Sequence, residues 1–141
     1  MTAEPKQARE TLRIILDSSA LFVPLQFKID IFEEVKRLLN RNLQFFLLSP
    51  IQRELEELRE RGSPKMRKNA SYALKLAERC VFFEIDEKIA GSPDDAVVQM
   101  ACEWNCAVFT NDKELRKRLR NINVPVIYVR QKSHLEIDGM I

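Results

Sequence analysis

Short unbroken apolar runs alternate along this chain with longer stretches in which apolar residues recur every three or four positions. The runs at 12–16, 43–48, 81–83, 106–110 and 126–129 are rich in β-branched and aromatic residues. They are too short for buried helices and lack polar alternation, so they predict strands buried on both faces. Between the first two, Ile31, Phe32, Val35, Leu38 and Leu39 share one face of a helix predicted over 28–41. The next helix is marked by Ser49 as cap, Pro50 in the first turn and Gln52 completing a capping box, and Gly62 ends it. Ser63-Pro64 opens a further helix with Met66, Ala70, Ala73, Leu74 and Ala77 on its buried stripe. Ser92-Pro93 repeats the device ahead of Val97, Met100, Ala101 and Trp104, and Leu115, Leu119 and Ile122 mark a last helix. Residues 22–27, which include Pro24, read as a loop; 1–11 read as a loose polar end and 130–141 as an extended tail.

The resulting order is βαβααβαβαβ, and no Asn-Gly or Asp-Gly pair joins two predicted strands. Strands separated by helices need crossover connections, which give a mainly parallel sheet covered on both faces. The expectation is one α/β domain over 1–141 with a central, mainly parallel five-stranded sheet.

Composition narrows the class. The chain has 141 residues, 45% hydrophobic and 31% charged, which suits a single globular core. No apolar run approaches the roughly 20 residues of a membrane span, and no signal peptide is visible, so no membrane is expected and the cytoplasm is the default compartment. Cys80, Cys102 and Cys106 are odd in number. With His134 far off, they read as buried small hydrophobes rather than as a zinc set.

Candidate chemistry lies at the strand ends. Parallel strands finish along one rim, where open α/β sheets place their ligand sites. Asp17 ends the first run, Glu54 sits in the early turns of the helix after the second, Asp94 and Asp95 open the helix after the third, and Asp112 follows the fourth. Helix capping or the helix dipole could account for Asp17, Asp94, Asp95 or Asp112 taken singly. Glu54 is harder to dismiss, because it borders the stripe of Ile51, Leu55 and Leu58, and a carboxylate there needs compensation. Two unit charges about 4 Å apart repel by roughly 4 kcal/mol at an effective dielectric near 20, so gathered acids call for a cation. Oxygen donors select hard ions, here Mg²⁺ or Mn²⁺, and such ions serve phosphodiester hydrolysis. There is no Gly-rich phosphate loop and no Ser/His/Asp set.

The stretches ILDSSAL, SPIQRELEEL, PDDAVVQMA and FTNDKEL, in that order, resemble the PIN domain nucleases over most of the chain. The double aspartate, the Thr-Asn-Asp run, the basic LRKRLR helix and the tail VRQKSHLEIDG are similar to the archaeal branch. That branch resembles the eukaryotic factor that cuts pre-ribosomal RNA, and its members are often described as VapC-type toxin ribonucleases. The resemblance implies a three-layer α/β/α sandwich and an Mg²⁺- or Mn²⁺-dependent endoribonuclease leaving a 5′-phosphate and a 3′-hydroxyl. It makes Asp17, Glu54 and Asp112 catalytic metal ligands, with Ser19 and Asn111 as supporting polar neighbours. The third acid is open: the DAVVQMA run favours Asp95, the helical wheel Asp94. RNA, in this reading ribosomal precursor, is the implied substrate; a homodimer and an antitoxin protein are implied partners.

Charge distribution adds an RNA strip. Net charge is only +2, yet between Lys113 and Lys132 seven basic residues face one acid. Lys113, Arg116, Lys117, Arg118 and Arg120 would bind the phosphate backbone beside the acid site, where a plain solvated helix face is the competing explanation. Two other functions compete: a non-catalytic RNA-binding PIN module, and a receiver-type phosphoacceptor. The latter needs an acceptor aspartate after strand three, where this chain has Phe83-Glu84-Ile85.

Overall fold

The computed structural model describes residues 11–86, 88 and 91–141. Its elements are β1 (Leu12–Leu16), α1 (Ser18–Leu21), α2 (Val23–Phe27), α3 (Ile31–Leu39), β2 (Leu43–Leu48), α4 (Ser49–Arg61) and α5 (Pro64–Ala77). They continue with β3 (Val81–Phe83), α6 (Pro93–Glu103), β4 (Cys106–Phe109), α7 (Lys113–Asn121), β5 (Val126–Arg130) and β6 (His134–Asp138). The sheet order is β3-β2-β1-β4-β5-β6, with every pairing parallel except β5–β6. The chain steps outward from β1 on one side, then jumps to β4 and steps outward on the other. Right-handed crossovers therefore place helices on both faces. This is the expected α/β/α sandwich, and the reversal of direction between β1 and β4 creates the crevice at their C-terminal ends.

β1 and β4 are the buried heart. Ile14, Ile15, Leu16, Ala107, Val108 and Phe109 are fully buried, with Leu48 of β2 and Leu21, Ile51, Leu55, Leu115 and Leu119 of the helices equally buried around them. The strand register sets Leu16 beside Phe109, so the residues just beyond them, Asp17 and Thr110, come out of the sheet side by side.

Four sequence expectations need correction. The tail is not extended and free: 134–138 forms a sixth, antiparallel strand. The connecting turn places Gln131 (φ 54°) and Lys132 (φ 59°) in the left-handed region, with Ser133 N–H donating to the Arg130 carbonyl at 3.2 Å. Each costs about 1–2 kcal/mol without a glycine, so the turn carries none of the usual hairpin signature. Residues 22–27 are largely the short helix α2, since Pro24 fits its first turn. Ser49 does not cap α4; strand runs straight into helix at Leu48, and the buried Ser49 hydroxyl accepts the Ile85 amide at 2.8 Å. Cys106 is buried and Cys80 half-buried, whereas Cys102 is exposed. Residues 1–10 of the loose-end expectation lie outside the described residues.

Candidate metal centre at the C-terminal rim of the sheet

Asp17 leaves β1 with its side chain almost wholly buried, at 4% exposure. It occupies the N-cap position of α1 yet makes no side-chain cap bond. Its Oδ2 instead accepts Thr110 Oγ1 at 2.7 Å and Ser19 Oγ at 2.8 Å. Ser19 Oγ in turn accepts the Asn111 amide at 2.9 Å, and Thr110 Oγ1 accepts the Asp112 amide at 3.0 Å. Asn111 Oδ1 accepts the Val129 amide at 2.9 Å, tying the turn after β4 to β5. A buried carboxylate is thus aimed by two hydroxyls that are themselves fixed by the next strand.

Glu54 approaches from α4, one residue before the buried Leu55. Its Oε1 is fully buried and has no hydrogen-bond partner among the described residues. Burial pushes its carboxyl above the ordinary 4.5; a hydrogen bond from Ser18 pulls it back, and the charges of Asp17 and Asp94 push it up again. Asp94 is raised as well, first by burial, then by the charges of Asp17 and Asp112, with Arg118 opposing. Asp112 caps α7, its Oδ1 accepting the Glu114 and Leu115 amides at 2.8 and 3.1 Å, so the bland cap reading holds for one of its oxygens. The charges of Asp17 and Asp94 thus act on Glu54, and those of Asp17, Asp112 and, least, Asp95 on Asp94.

Asp95 stands apart. It closes the capping box of α6, its Oδ2 accepting the Ser92 amide at 3.3 Å while its own amide donates to Ser92 Oγ at 3.1 Å. Its Oδ1 accepts Arg118 Nη2 at 2.9 Å. These bonds hold its carboxyl below the ordinary range, Arg118 being the main cause.

Among the described residues, no three His, Cys, Asp or Glu side chains are drawn together into a ready-made metal cage. The donor chemistry nevertheless fits a hard cation: oxygens only, one of them buried and orphaned, and two carboxyls raised first by burial and then by neighbouring acids.

The basic helix α7 divides by role. Arg116 Nε bonds Asp138 Oδ2 at 3.0 Å, with its guanidinium 3.7 Å from the Tyr128 ring centroid, and Arg120 Nε reaches Asp138 Oδ1 at 3.1 Å. Both pin α7 to β6. Lys113 and Lys117 are exposed on the same helix. Trp104 packs as sequence reasoning preferred, with its ring 4.9 Å from those of Phe46 and Phe83 and Arg13 stacked 5.0 Å from its centroid.

Two site residues escaped the sequence reading, Thr110 as the main donor to Asp17 and Ser18 as the donor to Glu54. The pairing of β1 with β4 was the signal for the first: two parallel neighbours deliver their post-strand residues to one place.

The comparisons agree with this architecture. The PIN-like domain profile matches residues 14–132. The chain is 35% identical to Ribonuclease VapC4 of Methanocaldococcus jannaschii over 130 residues, covering 92% of this chain and 98% of the relative. It is 30% identical to Ribonuclease VapC9 of Archaeoglobus fulgidus over 95 residues, 67% of each. Among solved structures it is similar to the PIN domain endonuclease Utp24, with a TM-score of 0.76, 28% identity and 92% of each chain covered. VapBC2 from Rickettsia felis, at 18% identity and a TM-score of 0.62 over 84% of this chain and all of that one, shares the fold. The order of the strands, the acids that follow their ends in sequence and the matches across nearly the whole length lead to one conclusion: this chain belongs to the PIN-like domain family.

Proposed function

We propose that this protein is a metal-dependent endoribonuclease whose centre is Asp17, Glu54, Asp94 and Asp112. The observation that supports it most is the orphaned, buried Oε1 of Glu54, on which the charges of Asp17 and Asp94 act. A carboxylate in that position without a counter-charge is costly, and Mg²⁺ or Mn²⁺ would offset it. When bound, such an ion supplies Lewis-acid polarisation of a phosphate and lowers the pKa of a water.

The residues divide the remaining work. Thr110 and Ser19 fix the Asp17 carboxylate by donating to one oxygen, which leaves the other for an ion. Asp112 spends Oδ1 on the α7 cap and keeps Oδ2 for the site. Asn111 supports the turn between them through Val129. Lys113 and Lys117 lie beside the acids for the RNA backbone, and binding should weaken steeply with salt.

The double aspartate, the Thr-Asn-Asp run and the tail VRQKSHLEIDG favour ribosomal precursor as the RNA. The 35% identity to VapC4 favours a second reading, a toxin ribonuclease held by an antitoxin protein. Incubation with structured precursor RNA and with unstructured RNA, with and without Mn²⁺, separates these, as does purification alongside the product of an adjacent small gene. Asp17→Asn is expected to abolish Mn²⁺-dependent cleavage while circular dichroism stays native. Undiminished cleavage by that variant would reject the site.

A further inference from the structure

Arg118 and Asp95 form an ion pair on the lip of the acid cluster, and the reading of that cluster as a nuclease centre gives the pair no task. Its two side chains remain 45% and 52% exposed, so burial does not explain it, and exposed pairs contribute little to stability. Its geometry is nonetheless fixed from the Asp95 side. One carboxylate oxygen is committed to Ser92 N–H and the other to Arg118 Nη2, so the acid cannot swing toward Asp94. Arg118 lies close enough to the cluster for its charge to act on Asp94. The neighbouring arginines are spent elsewhere, Arg116 and Arg120 both on Asp138. Arg118 is then the α7 arginine held beside the start of α6, with donors beyond its single bond to Asp95, and a planar fork of donors suits a phosphate.

We propose that Arg118 grips a backbone phosphate of RNA next to the acid cluster, and that Asp95 is its positioning residue and not a metal ligand. The inference rests on the nuclease reading for its substrate, but the phosphate grip is tested without metal or cleavage, so the two fail separately. The competing explanation is that Arg118 only offsets the charge of the four acids. A phosphate contact has a signature that charge offset lacks: each one adds about 0.7 to the salt slope of single-stranded binding.

The test is binding of a fluorescein-labelled single-stranded RNA to the full chain in chelator over a series of KCl concentrations. Arg118→Ala is expected to weaken binding about tenfold and to flatten the slope by about 0.7, whereas Arg118→Lys keeps the slope. Asp95→Asn, which retains a capping oxygen, is expected to weaken binding about threefold, and the loss should vanish in the Arg118→Ala background. Calorimetry of Asp95→Asn with Mn²⁺ should match the native protein. A native slope in Arg118→Ala overturns the phosphate grip. Asp95→Asn affinity at or above native, an Asp95 loss that persists without Arg118, or a loss of Mn²⁺ binding in Asp95→Asn overturns the positioning role.

Discussion

At the scale of single residues, the site is built from polar groups with uneven satisfaction. Asp17 is buried but fully engaged on one oxygen, while Glu54 is buried with an oxygen left over. Their variants should differ accordingly. Glu54→Gln removes a charge that burial disfavours, so the metal-free protein should melt at a higher temperature than native, and added Mn²⁺ should no longer raise it. A lower metal-free melting point in Glu54→Gln would mean that the Ser18 hydrogen bond outweighs the cost of burying the charge. Thr110→Val removes one of the two hydroxyl donors to Asp17 Oδ2 and leaves the Asp112 amide without its acceptor. Urea denaturation should show a loss of about 1–3 kcal/mol, restored in Thr110→Ser. Glu54 was legible in the sequence from its place beside an apolar stripe. Thr110 was not, because a threonine after a strand is ordinary until the neighbouring strand is known.

At the scale of elements, the basic stretch illustrates how composition misleads. Seven cations in a row of twenty positions suggest a nucleic-acid face, yet Arg116 and Arg120 converge on Asp138 and Arg130 bonds Glu136 at 3.1 Å. The partners lie on β6, the strand that sequence reasoning read as a tail. Local pattern could not reveal it, since its turn places Gln131 and Lys132 at positive φ where hairpins usually use glycine or asparagine. The clamp fastens α7, whose first residue follows the cap Asp112. Asp138→Ala should therefore cost about 1 kcal/mol in urea denaturation, the sum of two part-exposed pairs. Its RNA salt slope should remain native, which distinguishes these arginines from phosphate ligands.

At the scale of the whole molecule, the acid cluster links stability to pH and metal. Glu54 and Asp94 have folded-state carboxyls raised above their ordinary values of 4.5 and 3.8. A raised carboxyl stabilises the fold while protonated, that is, below its unfolded value, and this contribution is lost as pH rises through the folded value. In chelator, the melting temperature should consequently fall as pH climbs through the window just above those ordinary values. Mn²⁺ should cancel the fall at neutral pH, and at a hundred times its dissociation constant contribute about 2.7 kcal/mol. Calorimetric scans at several pH values with and without Mn²⁺ check both. A melting curve flat in pH and indifferent to Mn²⁺ would count against a coupled acid site.

The sequence by itself determined the five parallel strands, the longer helices between them and the acids that follow strand ends, because apolar period and helix-start signals are local. It also determined that Asp17, Glu54 and Asp112 come from separate βα connections. The tertiary structure alone decided that Asp95 turns to Ser92 and Arg118 while Asp94 does not share those bonds, since one helical step of about 100° separates the two and only packed neighbours fix the rotation. It alone decided β6 as well, because an edge strand defined by its partner's hydrogen bonds and by a turn of unfavoured residues has no period of its own to read.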